Sequence, residues 1–403
     1  MELRGVERAW RLMWMRVIAR MLPGPRATTL PDVKSRPLKV LFLRYERIGD
    51  MIMATGMIRA LAQSSPFVTL DVVAAPNTLP VLERNPYVRR IFTLDRRSWR
   101  SYRALVRELA AEHYDVIVDG RINNPKTFTS TPLLMLGARA NYRVGVGGGN
   151  NDLVYNVRVR PYDRHEHYID GSRALAEPFG VDVNHFNWRP QLFLSREEMD
   201  DAETKWTRAE TRIACETDTD TDTETDIATA TATARASTRE ARLLVNLSAS
   251  EQKRRWPDNR FIAVLSAVRD AHPGVPIIVI GLPGEWESVQ AVAEAVNGEP
   301  IETPQLRDAL ALVATCDHVF TPDTSISHVA SAFNKPAVVL LRGDCWQYAP
   351  WDVQGEVVFW SGETISRLGV EDVLPAVMRL CELPSDRDAM QHYDLASRQR
   401  TAG

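Results

Sequence analysis

Residues 39–61 read KVLFLRYERIGDMIMATGMIRAL, a segment in which one hydrophobic period gives way to another. Val40, Leu41, Phe42 and Leu43 form a short apolar run with strand propensity; from Met51 onward, Ile52, Met53, Met57, Ile58 and Leu61 can share one helix face. Strand, tight loop and helix follow in that order. The loop spans Arg44 to Asp50, with Gly49 and Asp50 at the start of the helix. A carboxylate and unpaired backbone N–H groups therefore meet at the C-terminal edge of a parallel sheet, where ligands of open α/β folds collect.

The alternation continues outward. Candidate strands are Val68 to Ala74, Val88 to Leu94, Val116 to Asp119 and Arg143 to Val146; candidate helices are Thr78 to Arg84, Ser101 to Glu112, Thr127 to Leu136 and Tyr168 to Phe179. Such spacing implies βαβ units and a Rossmann-like domain over about residues 38–200. A dinucleotide fingerprint is missing after the first strand, because the glycine cluster, Gly145 and Gly147 to Gly149, comes late and opens no helix. After the Thr/Asp-rich stretch 201–241, which contains TDTDTDTETD and reads as a linker or insertion, the pattern restarts over 242–383. Strands are expected at Leu243 to Leu247, Pro276 to Gly281, His318 to Thr321 and Ala337 to Leu341, with a closing helix at Val370 to Leu380 and a polar tail from 384 to 403. Two Rossmann-like units with parallel sheets, facing each other across a cleft, are the expected architecture.

Composition limits the function classes. The 403 residues are 44% hydrophobic and 25% charged with net charge −3, which suits a large α/β protein and argues against a general nucleic-acid binder. Cys215, Cys316, Cys345 and Cys381 show no CxxC spacing and no secretion signal precedes them, so reduced thiols in a cytoplasmic protein are expected, with no metal site and no cofactor. No apolar run is long enough to cross a bilayer. In the extension 1–37, six arginines from Arg4 to Arg26 interleave with Trp10, Met13, Trp14, Val17 and Met21. That pattern fits a peripheral helix on the anionic inner face of the cytoplasmic membrane, or a helix packing its apolar face on the protein itself. Arg84 to Arg107 is rich in arginine and reads either as a solvated face or as a patch for an anionic acceptor.

Three stretches of the second half carry chemistry. SASEQKRRWPD, residues 248–258, places Lys253, Arg254 and Arg255 before Trp256-Pro257, where cations suit a diphosphate. In GLPGE, residues 281–285, Glu285 suits ribose hydroxyls, or compensates a helix dipole. In TPDTSISH, residues 321–328, Asp323, Thr324 and Ser325 stand at a helix start suited to phosphate, with Asp323 as a plain N-cap the alternative.

In this order, R-x-x-x-I-G-D, K/R-x-W-P, G-x-x-x-E and D-T-x-x-x-H resemble glycosyltransferase family 9, the ADP-heptose:lipopolysaccharide heptosyltransferases, over about residues 38–380. The resemblance implies a GT-B fold and a metal-independent, inverting transfer of heptose from ADP-heptose to a lipopolysaccharide core or related glycan acceptor. It puts the general base on Asp50, donor contacts on Lys253, Arg254, Glu285, Asp323, Thr324, Ser325 and His328, and acceptor contacts on Arg44, Gly49 and Arg121. Arg254 stands where the family usually has lysine, and Ser325 where it usually has glycine, a change that matters if the backbone there needs positive φ. The alternatives are a GT-B transferase using another nucleotide sugar, or a non-catalytic sugar-nucleotide-binding protein.

Overall fold

The computed structural model describes residues 28–95, 98–122, 131–217 and 240–384, together with residues 13, 16, 17 and 20. The chain divides into two units at Phe193 and Leu194. Most of the basic extension, Arg96, Arg97, the Thr/Asp-rich stretch from 218 and the tail from 385 lie outside the described residues. Within residues 1–27, Met13, Arg16, Val17 and Arg20 are described, helical and exposed.

In the first unit, strands β1 (Leu38–Leu43), β2 (Val68–Ala74), β3 (Arg90–Thr93), β4 (Val116–Asp119), β5 (Tyr142–Val146) and β6 (Val157–Val159) form one sheet in the order β3-β2-β1-β4-β5-β6. Every pairing is parallel, with Leu38 opposite Val68 and Val40 opposite Val116. Parallel strands are covered on both faces, which is why β1 and β4 are nearly unbroken apolar runs and almost wholly buried. Helices α1 (Ile48–Gln63), α2 (Leu79–Leu82), α3 (Trp99–Glu112), α4 (Thr131–Ala138) and α5 (Tyr168–Ser172) supply the cover. The helix expected over Tyr168 to Phe179 stops at Ser172 and continues as two 3₁₀ turns, the second containing Pro178 at a position that ends helical hydrogen bonding.

Helix α1 is buried without interruption from Met51 to Leu61, more than one amphipathic face would require. The segment around Trp188 explains it. That segment crosses α1 at Gly56, where a Cβ would lie 2.5 Å from the Trp188 carbonyl oxygen. It is tied down by Gln191 N–H donating to Thr55 Oγ1 (2.8 Å) and by Arg59 donating to the Asn187 carbonyl.

The second unit repeats the plan. Strands β7 (Leu243–Asn246), β8 (Ile277–Ile280), β9 (Glu299–Pro300), β10 (His318–Pro322), β11 (Ala337–Arg342) and β12 (Gly355–Trp360) lie in the order β12-β11-β10-β7-β8-β9, all parallel. Both sheets are therefore doubly wound, with the chain reversing direction across the sheet between β1 and β4 in one and between β7 and β10 in the other.

A second expectation is corrected. Residues 201–217, assigned to the linker, belong to a 22-residue helix, α6 (Arg196–Thr217). Ala202, Trp206, Ala209 and Ile213 are buried at helical spacing, a stripe masked in the sequence by the acids and threonines around it. Trp206 is fully buried and donates its indole N–H to Thr315 Oγ1 (3.0 Å) on α9 (Leu306–Thr315). The helix starts on a reciprocal cap, Ser195 with Glu198, and Glu198 also pairs with Arg307 (Nη2 to Oε2 2.8 Å).

Two outcomes test this packing. Alanine outside a tight crossing stabilises a helix relative to glycine, yet Gly56→Ala should cost about 1–3 kcal/mol in denaturant unfolding, because the added methyl meets backbone. Hydrogen bonds from Arg307, working against burial, hold the Glu198 carboxyl at about 2, below its usual 4.5. A lowered folded value stabilises above the unfolded value and is lost as pH falls. Glu198→Gln should therefore cost about 1 kcal/mol at neutral pH, given solvent screening at this partly exposed pair, with the difference vanishing between pH 4.5 and about 2.

Candidate active site

The chemistry-bearing residues lie at the C-terminal ends of the strands that flank each reversal. In the first unit Arg44 leaves β1 and Arg121 leaves β4. Arg44 is only 4% exposed; it donates to the Gly120 carbonyl (Nη1, 3.2 Å), stands 3.1 Å from Asp50 Oδ1 through Nη2, and lies over the Tyr168 ring at 5.4 Å. Asp50 is in the first turn of α1, beside amide groups that have no partner within the helix, and keeps 21% of its side chain exposed. The Asp50 carboxyl is thus reachable from solvent and held against a buried guanidinium. Gly49 is the second residue of α1, adjacent to that carboxylate.

Arg121 is placed differently from a free binding fork. Its Nε donates to Asp119 Oδ1 (2.8 Å), and its Nη2 reaches the other Asp119 oxygen and Thr131 Oγ1. Asp119 is buried, which disfavours ionisation, yet Arg121 and the Tyr155 hydroxyl hold its carboxyl below the usual range. Between the two arginines sits Glu46, with Oε1 3.5 Å from Arg121 and Oε2 3.8 Å from Arg44. Burial pushes the Glu46 carboxyl up despite both guanidiniums, and its Oε2 has no hydrogen-bond partner. Sequence reading passed over Glu46, Asp119 and Tyr155. Glu46 lies inside the quoted loop and was legible as an acid beside Arg44; the pairing of Asp119 with Tyr155 depends on β4 lying beside β5.

In the second unit Asn246 at the end of β7 donates through Nδ2 to Thr321 Oγ1 (2.9 Å) and Thr324 Oγ1 (3.1 Å), and accepts from the Ser248 hydroxyl (2.7 Å). Asn246 thus ties the β7 loop to the β10 loop across the reversal. Thr324 caps α10 (Ser325–Ala332) by accepting from Ile326 N–H (3.2 Å). Asp323 does not cap it; its Oδ2 accepts from Arg254 Nη1 at 2.9 Å, and Arg254 Nε is buried without a partner. Ser325 is the first residue of α10 and is not among the positive-φ residues, so no glycine-only backbone is needed there. His328 is buried in the same helix.

Lys253 points elsewhere: 48% exposed, it pairs with Glu251 at 2.7 Å. Arg255 bridges Asp258 (2.8 Å) and Glu285 (3.3 Å), while Glu285 also accepts from Leu282 N–H (3.0 Å). Trp256 is a core anchor, fully buried edge-on to Phe261 and Phe320 and donating to the Leu368 carbonyl (3.0 Å). It fixes the loop from which Arg254 and Arg255 project. Arg254 and Asp323 come together beside Thr324 and Ser325, whereas Glu285 pairs with Arg255 and Lys253 with Glu251.

The family model described as glycosyltransferase family 9 (heptosyltransferase) matches residues 102–359, well over half the chain. The lipopolysaccharide core heptosyltransferase OpsX of Haemophilus influenzae is 20% identical over 77% of this chain and 81% of its own length. Among solved structures, a family 9 glycosyl transferase from Veillonella parvula superposes with TM-score 0.68 at 19% identity, covering 88% of this chain and 99% of that one. The ADP-heptose heptosyltransferase II of Escherichia coli gives TM-score 0.62 at 20% identity, over 85% and 98% of the two chains, and both likenesses fit the GT-B class of fold. With the doubly wound sheets, the polar clusters at both reversals and this match in view, the chain belongs to glycosyltransferase family 9 and is a glycosyltransferase.

Proposed function

We propose that this glycosyltransferase transfers a heptose from ADP-heptose to a lipopolysaccharide core or related glycan, in the cytoplasm at the inner face of the cytoplasmic membrane, with inversion at the anomeric carbon. The observation that carries the reading is Asp50, ionisable and reachable, on the buried guanidinium of Arg44. The Asp50 carboxylate takes the proton of the acceptor hydroxyl as that oxygen attacks the anomeric carbon. The bond from that carbon to the phosphate oxygen breaks, and ADP leaves with the electron pair.

Charge then develops on the diphosphate. Arg254, the Thr324 hydroxyl and the free N–H groups at the start of α10 are the groups suited to receive it. Asp323 holds Arg254 in position before the donor arrives, and an incoming diphosphate competes with it for the fork. Glu285 serves the ribose hydroxyls, positioned by Arg255. Arg44 and Gly49 shape the acceptor end, and Arg121 supports it through Asp119.

Asp50→Ala should lower kcat by roughly 10²-fold or more while ADP still raises the melting temperature as in the parent, with product followed by the mass gain of a truncated lipopolysaccharide core. Near-parental turnover would refute the assignment. Arg254→Ala should raise KM for the donor about tenfold or more, with Arg254→Lys recovering part of the loss. An ADP-heptose analogue with another sugar or base that gives faster transfer would shift the donor to a different nucleotide sugar.

A further inference from the structure

The arginine-rich stretch from 84 to 107 resolves into two kinds of residue. Arg89 is bound to Asp71 and Glu112, and Arg90 to Glu108 and Glu112, so both serve the fold. Arg100, Arg103 and Arg107 are exposed on α3 and have no ion pair or hydrogen bond among the described residues. Helix α3 buries Tyr102, Leu105 and Leu109 against the first unit's core, so the three guanidiniums share the opposite, outward side. At its N-terminal end stands Trp99, 66% exposed, more than any other large apolar side chain among the described residues. Its ring lies parallel to that of Tyr102, 7° apart in plane with centroids at 5.9 Å. The stack holds the indole outward, where its apolar area is otherwise in water.

From these observations we infer that the outward face of α3, carrying Trp99, Arg100, Arg103 and Arg107, is a docking surface for an anionic phospholipid bilayer. An indole beside a row of guanidiniums has the chemistry of a membrane–water interface: the ring enters the headgroup layer and the cations meet phosphate. The three arginines span about 10 Å along the helix, more than one phosphate needs. The acids nearest in the helix, Glu108 and Glu112, are already engaged by Arg90, which leaves the face cationic. The inference deepens the reading of a membrane-side acceptor, and its test uses neither donor nor acceptor, so either can fail alone.

The test is co-sedimentation of the full chain with vesicles of phosphatidylcholine alone or containing phosphatidylglycerol. The parent should bind the anionic vesicles and bind phosphatidylcholine weakly; R100A/R103A/R107A should bind anionic vesicles about 10²-fold less, and W99A about tenfold less, with melting temperatures unchanged. The charge-preserving triple lysine variant should bind as the parent does, which separates lost charge from lost structure. Transfer onto a short soluble acceptor should stay at the parental rate in every variant. Equal partition of the parent and the triple alanine variant would overturn the inference. So would unchanged partition with a raised KM for a phosphate-bearing soluble acceptor, which would assign the face to the acceptor.

Discussion

The inner strands of both sheets are covered on two sides, and this burial confines most polar chemistry to the strand ends. Along β1, β4 and β7 the buried positions are almost all apolar, and the charged Asp119 and the polar Asn246 stand at the strand ends. At the reversal points, neighbouring loops diverge to opposite faces of the sheet and leave a crevice that polar side chains fill. Arg44 and Arg121 occupy one such crevice; Asn246, Thr321 and Thr324 occupy the other.

The two crevices solve opposite electrostatic problems. In the first unit, two guanidiniums face three carboxyls, those of Glu46, Asp50 and Asp119. Asp119 is the most strongly satisfied and stays ionised, whereas Glu46, without a close hydrogen bond, is pushed toward its neutral form by burial. Asp50, with Oδ1 3.1 Å from Arg44 Nη2, is the third carboxyl of the group. In the second unit the start of α10 and Arg254 are both positive in character, and Asp323 balances Arg254 at 2.9 Å.

Much of the fold was legible because parallel sheets write themselves plainly. Apolar runs of four to seven residues marked β1, β2, β4, β7, β8, β10 and β11, and helix spacing marked α1, α3, α7 (Asp258–Ala271) and α9. The edge strands β6, β9 and β12 were missed. Two are very short and the third is only half-buried, so each owes its strand character to the neighbour it pairs with. Helix α6 was read as linker because its buried stripe of Ala202, Trp206, Ala209 and Ile213 is thin, and only docking on α9 gives it a reason to be helical.

By itself the sequence determined the two doubly wound halves, the loop holding Asp50, the Arg254–Trp256 stretch and the helix start at Thr324, because hydrophobic period and helix-start chemistry are local. Only tertiary structure decided which charged groups are committed. Arg121 is spent on Asp119, Lys253 turns to Glu251, Arg254 finds Asp323 69 positions away, and Arg100, Arg103 and Arg107 are left facing solvent. Charge pairing depends on distances between residues remote in the chain, and those distances exist only once the strands have been ordered into sheets.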